Sequence, residues 1–281
     1  MLLIKPIAIT VFAELYESNE VFLGKHAMVK HTLNSAVQLL ATSEFCGDSV
    51  KVVGLDSSNV EVIYIGVDTD KFNPKNSFST SHDLNIPENN SVILFLGRFE
   101  EDMGVDVVLE CLDDWSQKYN NLVVLFVGAK GSYSNQLFSA QEKYPDMVRV
   151  IENAPFDKLP EYYSRCDFLL APSKDKHPCM GVSIKESMSS GKPVIATRCG
   201  GIPEAIIDNE TGYLIDIESD TSKANKTQLI RRVDELISNT ELCKKLGNNA
   251  RLRAVELFSS EACTKKCKVV FNKMLKGFTE T

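Results

Sequence analysis

From residue 91 onward the chain alternates between two hydrophobic patterns. Continuous apolar runs of strand length recur at 92–96 (VILFL), 122–127 (LVVLFV), 148–151 (VRVI), 168–171 (FLLA), 193–197 (PVIAT) and 213–215 (YLI). Between them lie helix-spaced segments: Val105–Lys118, Ser134–Tyr144, Asp157–Arg165 and Val182–Ser190, the last with Ile184 and Met188 four apart. Strands apolar on both faces, separated by helices, predict a parallel sheet covered on both sides. The tail, residues 226–276, reads as helical throughout, with Leu229, Val233, Leu236 and Ile237 at helical spacing. Punctuation supports these boundaries. Gly97 and Gly128 end strands, Pro172-Ser173 closes FLLA, Gly191 stops a helix, and Gly200-Gly201 lies just past PVIAT.

The first ninety residues are less regular. Residues 2–11 predict a strand, 19–40 a helix, 41–43 a strand end and 46–55 a short helix. Residues 60–65 (VEVIYI) predict a strand that runs into Gly66-Val67-Asp68. Three strand signals in so short a stretch are few for a self-sufficient α/β domain. Residues 69–90 are polar and rich in Pro, Ser and Asn, which predicts a linker. The expected organisation is a partial N-terminal domain (1–68), this linker, a complete Rossmann-like domain (91–255) and a closing helix (256–281) packed back toward the first domain.

Composition narrows the function. With 281 residues, 43% of them hydrophobic, the chain is long enough for a large core. A net charge of −7 argues against a nucleic-acid partner. No apolar run reaches the roughly 18 residues of a membrane span. The opening MLLIKPIAITVFAELY is broken by Lys5, Pro6 and Glu14, so it reads as a strand rather than a signal peptide. The eight cysteines include no C-x-x-C pair, and the four histidines show no metal spacing. Reduced thiols in a cytoplasmic protein, with no metal and no cofactor, are the expectation.

The candidate chemistry gathers at one predicted sheet edge. Ligands of parallel sheets bind at the carboxyl ends of strands. Gly97-Arg98 follows the first strand of the regular region, and an arginine there can clamp a phosphate or, alternatively, pair with Glu100 or Glu101. Gly181 opens a helix whose free N–H groups and dipole suit an anion. Glu186, near that helix start, can accept hydrogen bonds from hydroxyls. Gly200-Gly201 permits close backbone approach to a diphosphate or forms a tight turn. Glu204 fits the same edge or a dipole-favoured helix start. A phosphate carrying a polyol is the ligand this set suggests. Neither G-x-x-x-x-G-K-[ST] nor G-x-G-x-x-G after a strand is present, which disfavours P-loop ATPases and standard NAD enzymes, and G-x-S-x-G is absent too. Trp115, Tyr162 and Tyr163 fall within helices and are expected in the core.

At these residues the chain resembles the retaining glycosyltransferases of family 4. The matching segments are IGVDTDKFNP (65–74), LFLGRF (94–99), GVDVVLECL (104–112), LPEYYSRCDFLLAPS (159–173), GVSIKESMSSGKPVIATRCGGIPEAI (181–206) and LRAVELFSS (252–260). The resemblance implies a GT-B-like α/β fold with a C-terminal donor domain and an N-terminal acceptor domain. It implies transfer of a hexose from a nucleoside diphosphate sugar, the donor substrate, with retention. It places Gly97 and Arg98 on the donor diphosphate, Gly181, Val182 and Ser183 near phosphate and sugar, and Glu186 on the ribose. Gly200, Gly201 and Glu204 fall beside the donor, and Arg98 and Glu186 are the implied catalytic residues. The implied acceptor is a glycan or a lipid, with peripheral contact at a cytoplasmic membrane face.

The chain also departs from the family pattern. Met103 stands where a second cation on the diphosphate is usual. Pro178 replaces the first glutamate of the E-x7-E motif, with His177 as a partial substitute. Phe12-Ala13 replaces a histidine-glycine pair near the reacting sugar, and the N-terminal domain is short by about half. These departures leave a second expectation open: a non-catalytic or split-enzyme subunit that binds nucleotide sugar, its N-terminal domain completed by a partner chain, or a truncated gene product. An unrelated doubly wound enzyme is the third reading.

Overall fold

The structure, a computed structural model, describes residues 7–12, 15, 25–76, 84, 86–174, 179–221 and 223–279. The N-terminal part contains β1 (Ala8–Val11), α1 (His26–Asn34), β2 (Gln38–Ala41), α2 (Glu44–Asp48) and β3 (Val60–Val62), with a 3-10 segment, Ser49–Val53, after α2. Its strands form a parallel sheet in the order β1-β2-β3. Leu39 packs with Val11, Leu33, Val50 and Val53 in one cluster, while Ala41, Cys46 and Val62 form a second.

The rest builds a larger sheet. Its elements are β4 (Ser91–Leu96), α3 (Val105–Lys118), β5 (Leu122–Gly128), α4 (Ser134–Lys143), β6 (Val148–Glu152), α5 (Leu159–Arg165), β7 (Phe168–Ala171), α6 (Val182–Ser189), β8 (Val194–Thr197), α7 (Ile202–Ala205) and β9 (Gly212–Ile215). Helices α8 (Lys226–Ser238), α9 (Thr240–Arg253) and α10 (Ser260–Thr279) close the chain. All six strands are parallel, in the order β6-β5-β4-β7-β8-β9. This is the doubly wound arrangement in which strand order reverses between the first and fourth strands, here β4 and β7. Alternate residues of each strand feed separate cores. Ile93, Phe95, Val124 and Phe126 meet Val108, Trp115 and Leu229 on one side. Val92, Leu94, Val123 and Leu125 meet Tyr163, Ile184, Met188 and Ala250 on the other.

Two expectations need correction. The segment 19–40 is not one helix: its first six residues lie outside the described residues, the helix spans His26–Asn34, and Gln38–Ala41 is a strand. Leu39, Leu40 and Ala41 are all buried in the middle of the small sheet, and a short apolar run reads alike as buried strand or helix turn. The strand expected over 60–65 stops at Val62. Beyond Ile63 the chain leaves the sheet and runs to the junction between α9 and α10, where Val67 N–H donates to Phe258 O at 2.7 Å and Ser260 N–H to Val67 O at 2.9 Å. The polar stretch 69–90 is anchored by Phe72 and Ile86, both buried against the second core. The C-terminal helices reach back toward the small sheet: Phe258 packs edge-on against Tyr64 at 5.2 Å, and Lys273 pairs with Glu61 at 3.6 Å. No described helix is long and apolar enough to cross a membrane.

Candidate functional site

A cleft of about 300 Å³ opens at the carboxyl ends of β4 and β7, the strands between which the order reverses. Backbone geometry makes such a crevice there, because the connections leave on opposite faces of the sheet. Phe95, Leu96 and Arg98 come from the end of β4, Leu170, Ala171 and Ser173 from the end of β7. Gly181, Ser183 and Ile184 come from the start of α6, and Asp102, Met103, Cys179 and Ile202 complete the wall. A second cavity, about 340 Å³, lies at the opposite edge, between Ser91, Asp167, Gly191, Thr240 and Lys244. Although larger, it sits at the amino ends of the strands, away from the strand reversal.

The start of α6 is set by Gly181, whose φ of 70° and ψ of 120° lie outside the comfortable range of side-chain-bearing residues. The helix then runs from Val182 with its first N–H groups without intrahelical partners. Its far end is fixed by Arg251, whose Nη1 donates to Ser189 O at 2.6 Å and to Phe72 O at 2.9 Å. Lys185 turns away from the cleft, and its Nζ donates to Ile65 O at 2.8 Å, tying α6 to the crossing segment. Burial pushes this lysine down to about 8.

Of the nine positions singled out in the sequence, the structure brings three to the cleft wall: Arg98, Gly181 and Ser183. The Arg98 side chain is 60% exposed and pairs with Asp102 at 2.6 Å. An exposed pair of this kind contributes little stability and exchanges partners readily. Gly97 ends β4 behind Arg98, and the Val182 side chain points to solvent. Gly200 and Gly201 lead into α7, whose Ile202 reaches the wall. His177 and Pro178 lie outside the described residues, as does Ala13, while Phe12 is exposed at the end of β1.

Glu186 does not line the cleft. It is 4% exposed and accepts a hydrogen bond from Tyr163 Oη at 2.9 Å. Burial raises its carboxyl from 4.5 to about 7, offset in part by the Tyr163 hydroxyl, Lys71 and Lys185. A carboxyl raised in this way holds its proton longer in the folded than in the unfolded chain. Its contribution is complete below about pH 4.5 and is lost as pH rises through about 7, on the order of 3 kcal/mol in all. Glu186→Gln keeps an acceptor for Tyr163 and removes the buried charge. It is expected to stabilise the fold near pH 8 by about 1–3 kcal/mol and to flatten the difference between unfolding midpoints measured near pH 5 and near pH 8.

Glu204 faces the other half of the molecule. Its two oxygens accept from Glu44 N–H at 2.8 Å and Phe45 N–H at 2.9 Å, the first amides of α2. Arg253 holds the same turn by donating to Glu204 O at 2.7 Å and Ala205 O at 2.8 Å. The carboxylate thus clasps the small sheet's layer to the large one, beside the cleft. Glu204→Ala leaves two helix-start amides without this acceptor and is expected to cost about 1–3 kcal/mol. The check is amide exchange at Glu44 and Phe45, which should quicken in the variant relative to α1. Sequence reasoning also passed over Asp102, Cys179 and Ile202, which stand beside recognised motif positions. Among the described residues no group of three or more His, Cys, Asp or Glu side chains could hold a metal ion.

The strand order and the cleft at its reversal define a doubly wound α/β protein. Residues 77–253 match the model of the glycosyl transferases group 1 family, and the chain belongs to that family. It is 24% identical over 256 residues to spore coat protein SA of Bacillus subtilis, covering 86% of this chain and 66% of that protein. It is 30% identical over 179 residues to the D-inositol 3-phosphate glycosyltransferase of Streptosporangium roseum, covering 59% of this chain and 40% of that protein. The chain thus spans less than two thirds of the length of these curated relatives. Its fold is shared with Anabaena Alr3699/HepE, solved in complex with UDP, at a TM-score of 0.82 and 19% identity over 96% of this chain and 72% of that one. It is shared too with a glycosyltransferase from Rickettsia africae ESF-5, at a TM-score of 0.79 and 24% identity over 96% and 70%.

Proposed function

We propose that the chain is the donor-binding part of a retaining glycosyltransferase that takes a hexose from a nucleoside diphosphate sugar. The observation that carries this reading is the cleft at the strand reversal, which sets Arg98 opposite the amino end of α6. Departure of a nucleoside diphosphate builds negative charge on the leaving oxygen. A guanidinium and free helix amides aimed at that oxygen lower the barrier without reorganising. Arg98 releases Asp102 and takes the diphosphate, Gly181 and Ser183 contact the phosphate and sugar, and the glycine turn at Gly200-Gly201 leaves room beside them. Glu186 supports the ribose side through its bond to Tyr163. A glycan or lipid acceptor approaches from the small-sheet side, where Glu204 keeps the two layers in register.

A second reading rests on Met103, which takes a place in the cleft wall and leaves Arg98 as the wall's single cation among the described residues. In that reading the chain binds nucleotide sugar without transferring it alone, and a partner strand completes the small sheet beyond β1, which has no neighbour on its far side among the described residues. Incubating the chain with UDP- and GDP-hexoses separates the two. Proton NMR of the released or transferred sugar should show nucleotide release with the donor's anomeric configuration kept. Binding with no release over hours supports the subunit reading, and inverted product contradicts retention.

A further inference from the structure

We propose that Cys46 and Cys179 are a redox pair whose reversible disulfide joins the small sheet's layer to the large one at the mouth of the cleft. Cys46 is the only cysteine in the first 110 residues. It lies in α2, fully buried. Cys179 comes from the loop that leads to Gly181, is half-buried, and lines the cleft. The Cys46 thiol donates to Cys179 Sγ at 2.8 Å, within an ångström of the covalent sulfur–sulfur distance of about 2.05 Å.

Cys46 and the backbone of Cys179 are each held in place by other contacts. Cys46 N–H donates to Ser43 Oγ at 3.0 Å, and Thr42 Oγ1 donates to Cys46 Sγ at 3.6 Å. The clasp from Glu204 fixes the start of α2. On the other side, the carbonyl of Cys179 sits over Gly201, so closely that a β-carbon there would lie 1.6 Å from it. The pair therefore meets through packed backbone on both sides.

The chemistry needs a two-electron oxidant, and a peroxide is the class proposed. Cys179, the more exposed thiol, loses its proton and attacks a peroxide oxygen. The O–O bond breaks, water departs, and Cys179 becomes a sulfenic acid. The Cys46 sulfur then attacks the Cys179 sulfur. The S–S bond forms, the S–O bond breaks, and the Cys46 proton leaves with the hydroxyl as a second water. In sum, two thiols and one hydrogen peroxide give one disulfide and two waters. The bond to Cys179, and then burial, raise the Cys46 thiol well above its ordinary range, so it keeps its proton until the partner sulfur is oxidised. Such a bond would pin the loop before Gly181 and restrict exchange of whatever the cleft holds. A thiol reductant restores the open state.

The test uses the full chain, reduced, desalted, and treated with a small excess of hydrogen peroxide. A non-reduced digest should yield a peptide linked through Cys46 and Cys179, lost on adding dithiothreitol. The oxidised chain should melt about 5–10 °C higher than the reduced one, because the bridge closes a long loop. Cys179→Ser should show neither the linked peptide nor the shift. Cys46→Ser should behave alike, and if that buried substitution prevents folding, the wild-type peptide map and Cys179→Ser decide. Recovery of both cysteine peptides unlinked after other thiols have oxidised, or an equal melting shift in Cys179→Ser, overturns the proposal. Neither outcome depends on which nucleotide the cleft accepts.

Discussion

Gly201→Ala is expected to destabilise the fold by about 3 kcal/mol or more and to close the cleft. The β-carbon would lie 1.6 Å from the carbonyl oxygen of Cys179, 2.8 Å from its carbon and 3.0 Å from Ser43 Oγ. Overpacking a core costs about 1–3 kcal/mol when side chains can shift. Here the obstacle is backbone, so no rotamer change relieves it. The backbone at Gly201 is ordinary, with φ of −85°, so the cost is steric rather than conformational. The loop before Gly181 must move, and it carries one wall of the cleft with it. Gly47→Ala is the control: its β-carbon would have neighbours at 3.5–3.8 Å, ordinary contact, and an alanine in a helix gains up to about 1 kcal/mol over glycine. Urea midpoints of the two variants should therefore move in opposite directions. A Gly201→Ala chain as stable as wild type would show that the loop does not pack as described.

Arg98→Ala is expected to weaken nucleoside diphosphate binding about 10–100-fold while leaving stability within about 0.5 kcal/mol. The two effects separate because of what Arg98 touches. Its partner in the structure is Asp102, in an exposed pair, and such pairs contribute little to folding. A hydrogen bond from a guanidinium to phosphate contributes about 1.5–3 kcal/mol, which is the affinity range quoted. Arg98→Lys keeps the charge and loses the two-pronged geometry, so it should fall between alanine and wild type. Asp102→Asn removes a competing negative charge from the cleft wall and should tighten binding. Calorimetry with UDP and GDP, beside thermal melts of the same preparations, reads both quantities. Equal affinity in wild type and Arg98→Ala would remove the arginine from the site.

The large sheet was legible because most of its strands are buried on both faces, and β4, β5 and β7 end at Gly97, Gly128 and Pro172. The helix expected at Val105–Lys118 and the strand at Phe168–Ala171 are found with those bounds. The small sheet was harder: Gln38–Ala41 is too short and too uniformly apolar for periodicity to separate strand from helix. The edge at which the cleft opens could be read from where Gly97, Gly181 and Gly200 fall. The direction of each side chain could not. Glu186 turns inward to a tyrosine from another helix, and Glu204 reaches amides 160 residues earlier in the chain. Cys46 and Cys179 meet across 133 residues. Contacts at such separations leave no local pattern in the sequence.

The proposed function requires that the diphosphate bind at the strand reversal between β4 and β7. Amide chemical shifts followed by NMR during titration with UDP, or with GDP if UDP does not bind, test it directly. Saturable shifts are expected at Arg98, Met103, Gly181, Val182 and Ser183, with those of Asp167, Thr240 and Lys244 unmoved. Shifts concentrated at the larger cavity on the opposite edge, around Asp167 and Lys244, would contradict it, as would an unchanged spectrum with both nucleotides.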